Sequence, residues 1–338
     1  MQLVAVTGKQ ESALVERPEP QAHGNLVVVK VTTTPMCTEY KLYKDGSPNE
    51  VLGHEAVGEV VSVAQPGRVK VGDRVVAMPL YSCGTCQLCI SGDYIHCQNG
   101  RYVLRESGSA TGTATYAQYL LKPDWMLLPI PDDVSDIHAG MACCGLGATF
   151  GAMQALNVDR FDTVLITGMG PVGLGGVING TFRGARVIVV ESHPYRQQLA
   201  LELGAAAVFD PRDDTTSARI KELTNGIGVD KAIDCSGVAP AQRLLIDATR
   251  RRGAVAFVGE GGGLEIKISD DMIRKGLTLR GSWHWNMNDA PRMWATIRGS
   301  GDKIDKLVTH TFPLSHVQQA WDLQLTGNSG KVILHPWG

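Results

Sequence analysis

The stretch TVLITGMGPVG, residues 163–173, constrains the fold of this chain more than any other. An apolar, β-branched run leads straight into three glycines, Gly168, Gly170 and Gly173, spaced G-x-G-x-x-G, and a helical pattern opens behind them. In a chain with 39 glycines the spacing alone is a weak signal. Its place between a strand and a helix gives it meaning. Gly168 permits the tight turn, Gly170 lets the backbone approach a pyrophosphate, and Gly173 allows close packing of the helix. Pro171 and Val172 then begin a helix whose free N–H groups and positive dipole end face the phosphates. Strand-like runs recur at residues 186–190, 231–234 and 254–258, with helical stretches such as residues 195–203 between them. The alternation predicts an α/β, doubly wound parallel sheet.

The residue after the second of these strands is Glu191. A carboxylate there can hydrogen-bond both ribose hydroxyls and repel a 2′-phosphate, so NAD(H) is favoured over NADP(H). Arg196 lies nearby and pulls the other way. Ser236, Gly259 and Ser282 follow later strand-like runs and are candidate cofactor-side residues. Trp283 and Trp285 are read equally as cleft or core aromatics.

A length of 338 residues implies two domains. The first 135 residues are rich in short β-branched runs broken by Gly, Pro and Asp, which predicts a closed or sandwiched antiparallel domain. Residues 139–158 carry no charge, but the glycines and polar residues among them point to a buried core segment rather than a membrane span. No basic stretch leads into an apolar run at the N-terminus, so a soluble, cytoplasmic protein is expected. Lys plus Arg number 32 against 34 for Asp plus Glu, a balance that argues against a nucleic-acid partner.

In a reducing compartment, clustered cysteines suggest metal binding or catalysis. Cys83, Cys86, Cys89 and Cys97 stand in C-x2-C-x2-C-x7-C. Four thiolates so close together suit a tetrahedral structural zinc with no open position, the alternative being an iron–sulfur cluster. Cys37, the block GHEAVG at residues 53–58, and the pair Cys143–Cys144 offer a second set of one imidazole and two thiolates. Three such ligands leave one position open for water or substrate.

These motifs, with VKVGDRV at residues 69–75, resemble the zinc-dependent medium-chain dehydrogenases, the alcohol, sorbitol and threonine dehydrogenase superfamily, over nearly the whole chain. The resemblance implies a GroES-like catalytic domain over residues 1–145 and 284–338, with the cysteine lobe at about 81–100, and a Rossmann domain over residues 146–283. It implies two zinc ions per chain. Cys37, His54 and Cys144 match the catalytic ligands, with Cys143 as the alternative to Cys144. Glu55 matches the carboxylate beside that zinc. The superfamily reads C-x-[Ser/Thr]-Asp at the first ligand, whereas this chain reads Cys37-Thr38-Glu39-Tyr40. Either Thr38 supplies the substrate-binding hydroxyl, which is preferred, or Glu39 acts as proton acceptor or metal ligand. The implied activity is hydride transfer between a small-molecule alcohol, a secondary alcohol or polyol, and NAD, giving a ketone or aldehyde. The alternatives are an NADP-dependent reductase or biosynthetic dehydrogenase of amino-cyclitols or sugar-like alcohols, and a non-catalytic relative. The resemblance also implies a homodimer or homotetramer.

Overall fold

The computed structural model describes residues 1–338. The chain divides into two compact units: Met1–Cys143 with Asn286–Ala290 and Val308–Gly338, and Cys144–Trp285 with Pro291–Leu307. The segment 291–307 differs from the sequence expectation, which placed it with the first domain. Its helix Gly301–Leu307 buries Ile304 and Leu307 completely. Lys303 Nζ donates to Thr181 Oγ1 at 2.6 Å, tying that helix to the helix Pro171–Phe182.

The first unit begins with strands β1 (Gln2–Gly8), β2 (Glu11–Glu16), β3 (Leu26–Pro35), β4 (Ala56–Ser62), β5 (Arg74–Ala77), β6 (Tyr119–Pro123) and β7 (Leu127–Pro129). The second unit supplies β8 (Thr163–Thr167), β9 (Arg186–Val190), β10 (Ala207–Phe209), β11 (Val229–Asp234), β12 (Thr249–Phe257) and β13 (Thr278–Gly281). The chain then returns with β14 (Val308–Pro313) and β15 (Lys331–His335).

In the first unit, β1 and β2 form a hairpin, and the main sheet runs β14-β15-β3-β4-β5-β7 with β6 also paired to β3. Strand β3 organises it. Its side chains alternate between two cores: Val27, Val29 and Val31 pack on one face and Leu26 and Val28 on the other. Gly58 lets β4 come this close, because a Cβ there would stand 2.1 Å from Lys30 O. Strand β15 lies antiparallel to the end of β3, Leu334 opposite Thr34.

The second unit is a six-stranded parallel sheet in the order β10-β9-β8-β11-β12-β13. The chain winds outward from β8 to β10, then returns to β11 on the other side of β8. The carboxyl end of β8 is therefore a topological switch point, where open α/β sheets bind ligands. Glycine governs the helix that follows: a Cβ on Gly175 would lie 1.8 Å from Gly145 O. No helix is long and apolar enough to cross a membrane, and no disulfide joins any of the eight cysteines.

Candidate active site

The four cysteines of the lobe converge. Sγ of Cys86 lies 3.5 Å from that of Cys89 and 3.9 Å from that of Cys97, and Cys97 Sγ lies 3.6 Å from Cys83 Sγ. Tetrahedral zinc–sulfur bonds of about 2.3 Å would set sulfurs roughly 3.8 Å apart, so the donor set fits that ion. Backbone amides turn inward: the N–H groups of Cys83, Cys86 and Asn99 donate to lobe sulfurs at 3.2, 3.3 and 3.4 Å. The Thr85 hydroxyl and amide lead in lowering the Cys83 pKa to about 6, which favours the thiolate a metal needs.

The second cluster gathers Cys37, His54, Glu55 and Cys144, whose ligand atoms all lie within 4.8 Å of one another. Cys37 follows β3, and His54 and Glu55 directly precede β4. Gly53, at φ +87°, makes the bend between them possible, since a Cβ there would meet Thr115 Oγ1 at 2.0 Å and the Tyr116 ring at 2.6 Å. Of the two adjacent cysteines, Cys144 joins the cluster. Cys143 is completely buried and its Sγ donates to Ala77 O at 3.6 Å. Burial pushes its pKa up, and its sulfur is directed at Ala77 O rather than at the cluster.

Glu39 is buried beside His54 and outside the four-residue cluster. Its Oε1 lies 2.6 Å from His54 Nδ1, and its Oε2 accepts from Cys37 N at 3.2 Å and from the Tyr116 hydroxyl at 3.1 Å. Burial, the largest single influence, would raise the Glu39 pKa, but the bond and charge of His54, with the bonds from backbone and Tyr116, together outweigh it and hold the carboxyl below its usual range. Burial likewise opposes a charged imidazole, yet bonds with Cys37 and Glu39 push the His54 pKa up to about 11. This acid-rich, thiol-rich pocket is built for positive charge, which suits a divalent ion on these donors. Thr38, by contrast, is exposed one residue earlier. Glu55 is fully buried, and Lys331 Nζ donates to its Oε1 at 2.7 Å. Burial raises the Glu55 pKa to about 7 while Lys331 opposes the rise. Sequence spacing pointed to neither Tyr116 nor Lys331. The one trace of Lys331 is a lysine heading the apolar run KVIL.

At the glycine turn, Gly168 takes φ +80°, and a Cβ there would stand 2.7 Å from Ser236 Cβ. Around Gly170 there is open space within 4 Å, the cradle a pyrophosphate needs. A Cβ on Gly173 would lie 1.9 Å from Gly168 O. The helix Pro171–Phe182, which carries Val172, starts here. Glu191 Oε2 accepts from Met169 N at 2.5 Å, and its Oε1 accepts from Ser192 N and His193 N, each at 2.8 Å. The carboxylate is thus held at the turn from the end of β9. Arg196 is half-buried, and its Nε has no hydrogen-bond partner.

Asp234, a residue sequence reasoning passed over, is fully buried at the end of β11. It accepts from the Thr167 hydroxyl at 3.0 Å and the Ser236 hydroxyl at 2.6 Å, fixing Ser236 against Gly168. Gly259 packs on the same loop, where a Cβ would lie 2.4 Å from Gly237 N. Ser282 N donates to Phe257 O at 2.9 Å. Trp285 is a core aromatic, set edge-on against Phe150 at 5.8 Å, whereas Trp283 is 48 % exposed.

Comparison with known proteins finds relatives over nearly the whole chain. Residues 171–298 match the family described as "Zinc-binding dehydrogenase", and residues 23–132 the "Alcohol dehydrogenase GroES-like domain". L-threonine 3-dehydrogenase of Shewanella baltica is 33% identical over 337 residues, covering 95% of each chain. Among solved structures, alcohol dehydrogenase TADH from Thermus sp. ATN1 superposes with a TM-score of 0.86 at 25% identity, covering 99% of each chain. The 2R,3R-butanediol dehydrogenase from Bacillus subtilis does so at 0.85 and 26%, with the same coverage. The chain belongs to the zinc-dependent medium-chain dehydrogenase superfamily and is an NAD(P)-dependent alcohol oxidoreductase.

Proposed function

We propose that the chain oxidises a secondary alcohol, in the polyol or amino-alcohol class, reversibly and with NAD(H), using one catalytic and one structural zinc. The convergence of Cys37, His54, Glu55 and Cys144 within 4.8 Å carries this reading. A zinc there supplies Lewis acidity that lowers the pKa of a substrate hydroxyl, and the nicotinamide supplies the hydride acceptor.

The chain's own residues do the rest. Glu39 holds the proton of His54 on Nδ1, leaving the Nε2 lone pair for the metal. With both oxygens engaged, Glu39 positions the imidazole and does not take the substrate proton. Thr38, exposed beside this network, is assigned the hydroxyl that meets the substrate oxygen. Lys331 offsets the charge of Glu55, so Cys37, His54 and Cys144 would hold the metal with Glu55 beside them. The lobe of Cys83, Cys86, Cys89 and Cys97 would hold the structural ion. Glu191, held at the turn by Met169 N, would offer its carboxylate to the ribose hydroxyls of NAD and repel a 2′-phosphate.

A screen of zinc-replete protein at the NADH absorbance band tests the proposal, with secondary alcohols, polyols and 2-amino alcohols against each nicotinamide cofactor. The expected result is turnover with NAD exceeding that with NADP, and two zinc per chain by metal analysis. No turnover across the screen, or one zinc per chain, overturns it. We further propose a cytoplasmic homodimer or homotetramer, in keeping with eight cysteines and no disulfide and with the resemblance; light scattering of the purified chain decides its size.

A further inference from the structure

The parallel pairing of β11 with β12 contains a break of register. Val229 stands opposite Thr249 and Lys231 opposite Ala254, so the one residue Asp230 faces four, residues 250–253. Those four are Arg-Arg-Arg-Gly. Bulges of this kind re-aim side chains and belong to the built features of a sheet. This one is held at several points. A Cβ on Gly253 would stand 2.4 Å from Thr249 Cγ2 and 2.8 Å from Asp230 O, so only glycine closes it. Arg252 sits in the left-handed region at φ +59° and its N–H donates to Lys275 O at 2.8 Å. Arg250 is pinned to Asp230 at 2.6 Å.

The bulge lines a cavity of about 280 Å³, together with Lys221, Asp247, Asp270, Arg274 and Lys275. Five cationic residues, counting Arg250 and Arg251, and two acidic ones thus line it, in a chain whose net charge is -2. Both carboxylates are engaged: Asp270 by Arg274 at 2.6 Å and Asp247 by Arg243, outside the lining, at 2.5 Å. Lys275 is engaged by the last carbonyls of the helix Ala239–Ala248, at Ile246 and Asp247. Lys221 and Arg251 have no carboxylate partner, and Arg251 makes a single long bond, to Arg274 O at 3.5 Å.

We propose that the bulge builds a binding site for a small multivalent oxyanion of the oligophosphate class, separate from the dinucleotide turn. The guanidinium fork of Arg251 matches a phosphate edge, and the Lys221 ammonium adds a second point of charge. The volume lies just below the usual range for ligand pockets, which run upward from about 300 Å³, so pyrophosphate fits better than a whole nucleotide. The location is also distinct. The cavity opens at the amino ends of β11 and β12, whereas the glycine turn follows the carboxyl end of the adjacent, parallel β8. The six residues of β11 put the two roughly 20 Å apart at about 3.3 Å per residue.

Titration calorimetry of the whole chain with inorganic pyrophosphate, at constant ionic strength, tests the site. One saturable event per chain is expected, unchanged by saturating NADH. Lys221→Gln with Arg251→Gln should weaken it at least tenfold while the affinity for NADH stays as it was. Both positions are exposed, so the variant should unfold at the wild-type temperature. Displacement by NADH overturns the proposal, because the anion then occupies the glycine turn. Absence of saturation, equal affinity in the double variant, or binding of a single-stranded oligonucleotide in preference to pyrophosphate overturns it as well.

Discussion

The ammonium of Lys331 lies 2.7 Å from Oε1 of Glu55, and both side chains are completely shielded from solvent. The two residues are 276 positions apart in sequence and meet because β15 runs beside β3 while Glu55 leads into β4. Breaking a buried pair by deleting one partner costs about 3–5 kcal/mol, since the other charge is left unpaired. Lys331→Ala should therefore destabilise the first unit by that order in urea unfolding. The double variant Lys331→Met with Glu55→Gln should recover most of it. Equal stability of Lys331→Ala and the wild type would show that the pair contributes nothing.

Glu39 and Tyr116 extend the cluster by two hydrogen bonds, one between His54 and the carboxylate and one that the Tyr116 phenol donates to the carboxylate. Loss of such outer partners lowers metal affinity by about 10–100-fold. Glu39→Gln should show that loss at one zinc per chain under competitive chelation, and Tyr116→Phe a smaller loss of the same kind. The zinc of the cysteine lobe should be retained in both. An unchanged chelation curve in both variants would remove them from any positioning role.

The two adjacent cysteines make a sharp comparison. Cys144→Ser should reduce the metal content by one zinc per chain, and Cys143→Ser should leave it unchanged, because the Cys143 thiol is turned to Ala77 O. His54→Ala should abolish turnover while NADH still quenches tryptophan fluorescence. The reverse result for the cysteines would reassign the ligand.

Cys89→Ser opens the lobe, far in sequence from the glycine turn. It should lower thermal stability and zinc content while NADH binding persists. Turnover lost in direct proportion to NADH affinity would contradict a structural role for that ion.

Lys122 supplies a pH test. Burial lowers its pKa to about 7, although its Nζ donates to Leu80 O at 2.6 Å and sits over the Tyr81 ring. The folded value lies below the ordinary lysine value of 10.5. Between about pH 7 and 10.5 the unfolded chain thus binds more protons than the folded one, and stability from this group rises with pH. Lys122→Met removes the effect, so its stability advantage over the wild type should be largest near neutral pH and shrink toward pH 9.5. A constant difference across that range would refute the linkage.

The sequence by itself determined the parts whose chemistry is local. A strand, a G-x-G-x-x-G turn and a helix are contiguous, so the open glycine turn at Gly170 was legible from spacing. Four cysteines within one short loop likewise converge without help from distant chain. The tertiary structure alone decided the partners that arrive from elsewhere. The resemblance favoured Cys144 over the adjacent Cys143, and the tertiary structure separates them physically, by turning the Cys143 thiol to Ala77 O. Glu39 was legible as a departure from the superfamily pattern, but its bond to His54 needed the fold to set the two carboxylate oxygens against Nδ1, Cys37 N and Tyr116. Lys331 reaches Glu55 through pairing of the last strand with the third, and the segment 291–307 joins the second unit through Lys303 and Thr181. Spacing along the chain fixes what neighbouring residues can do together, whereas the dry contacts that shift a pKa or orient a ligand depend on which distant surfaces are buried against each other.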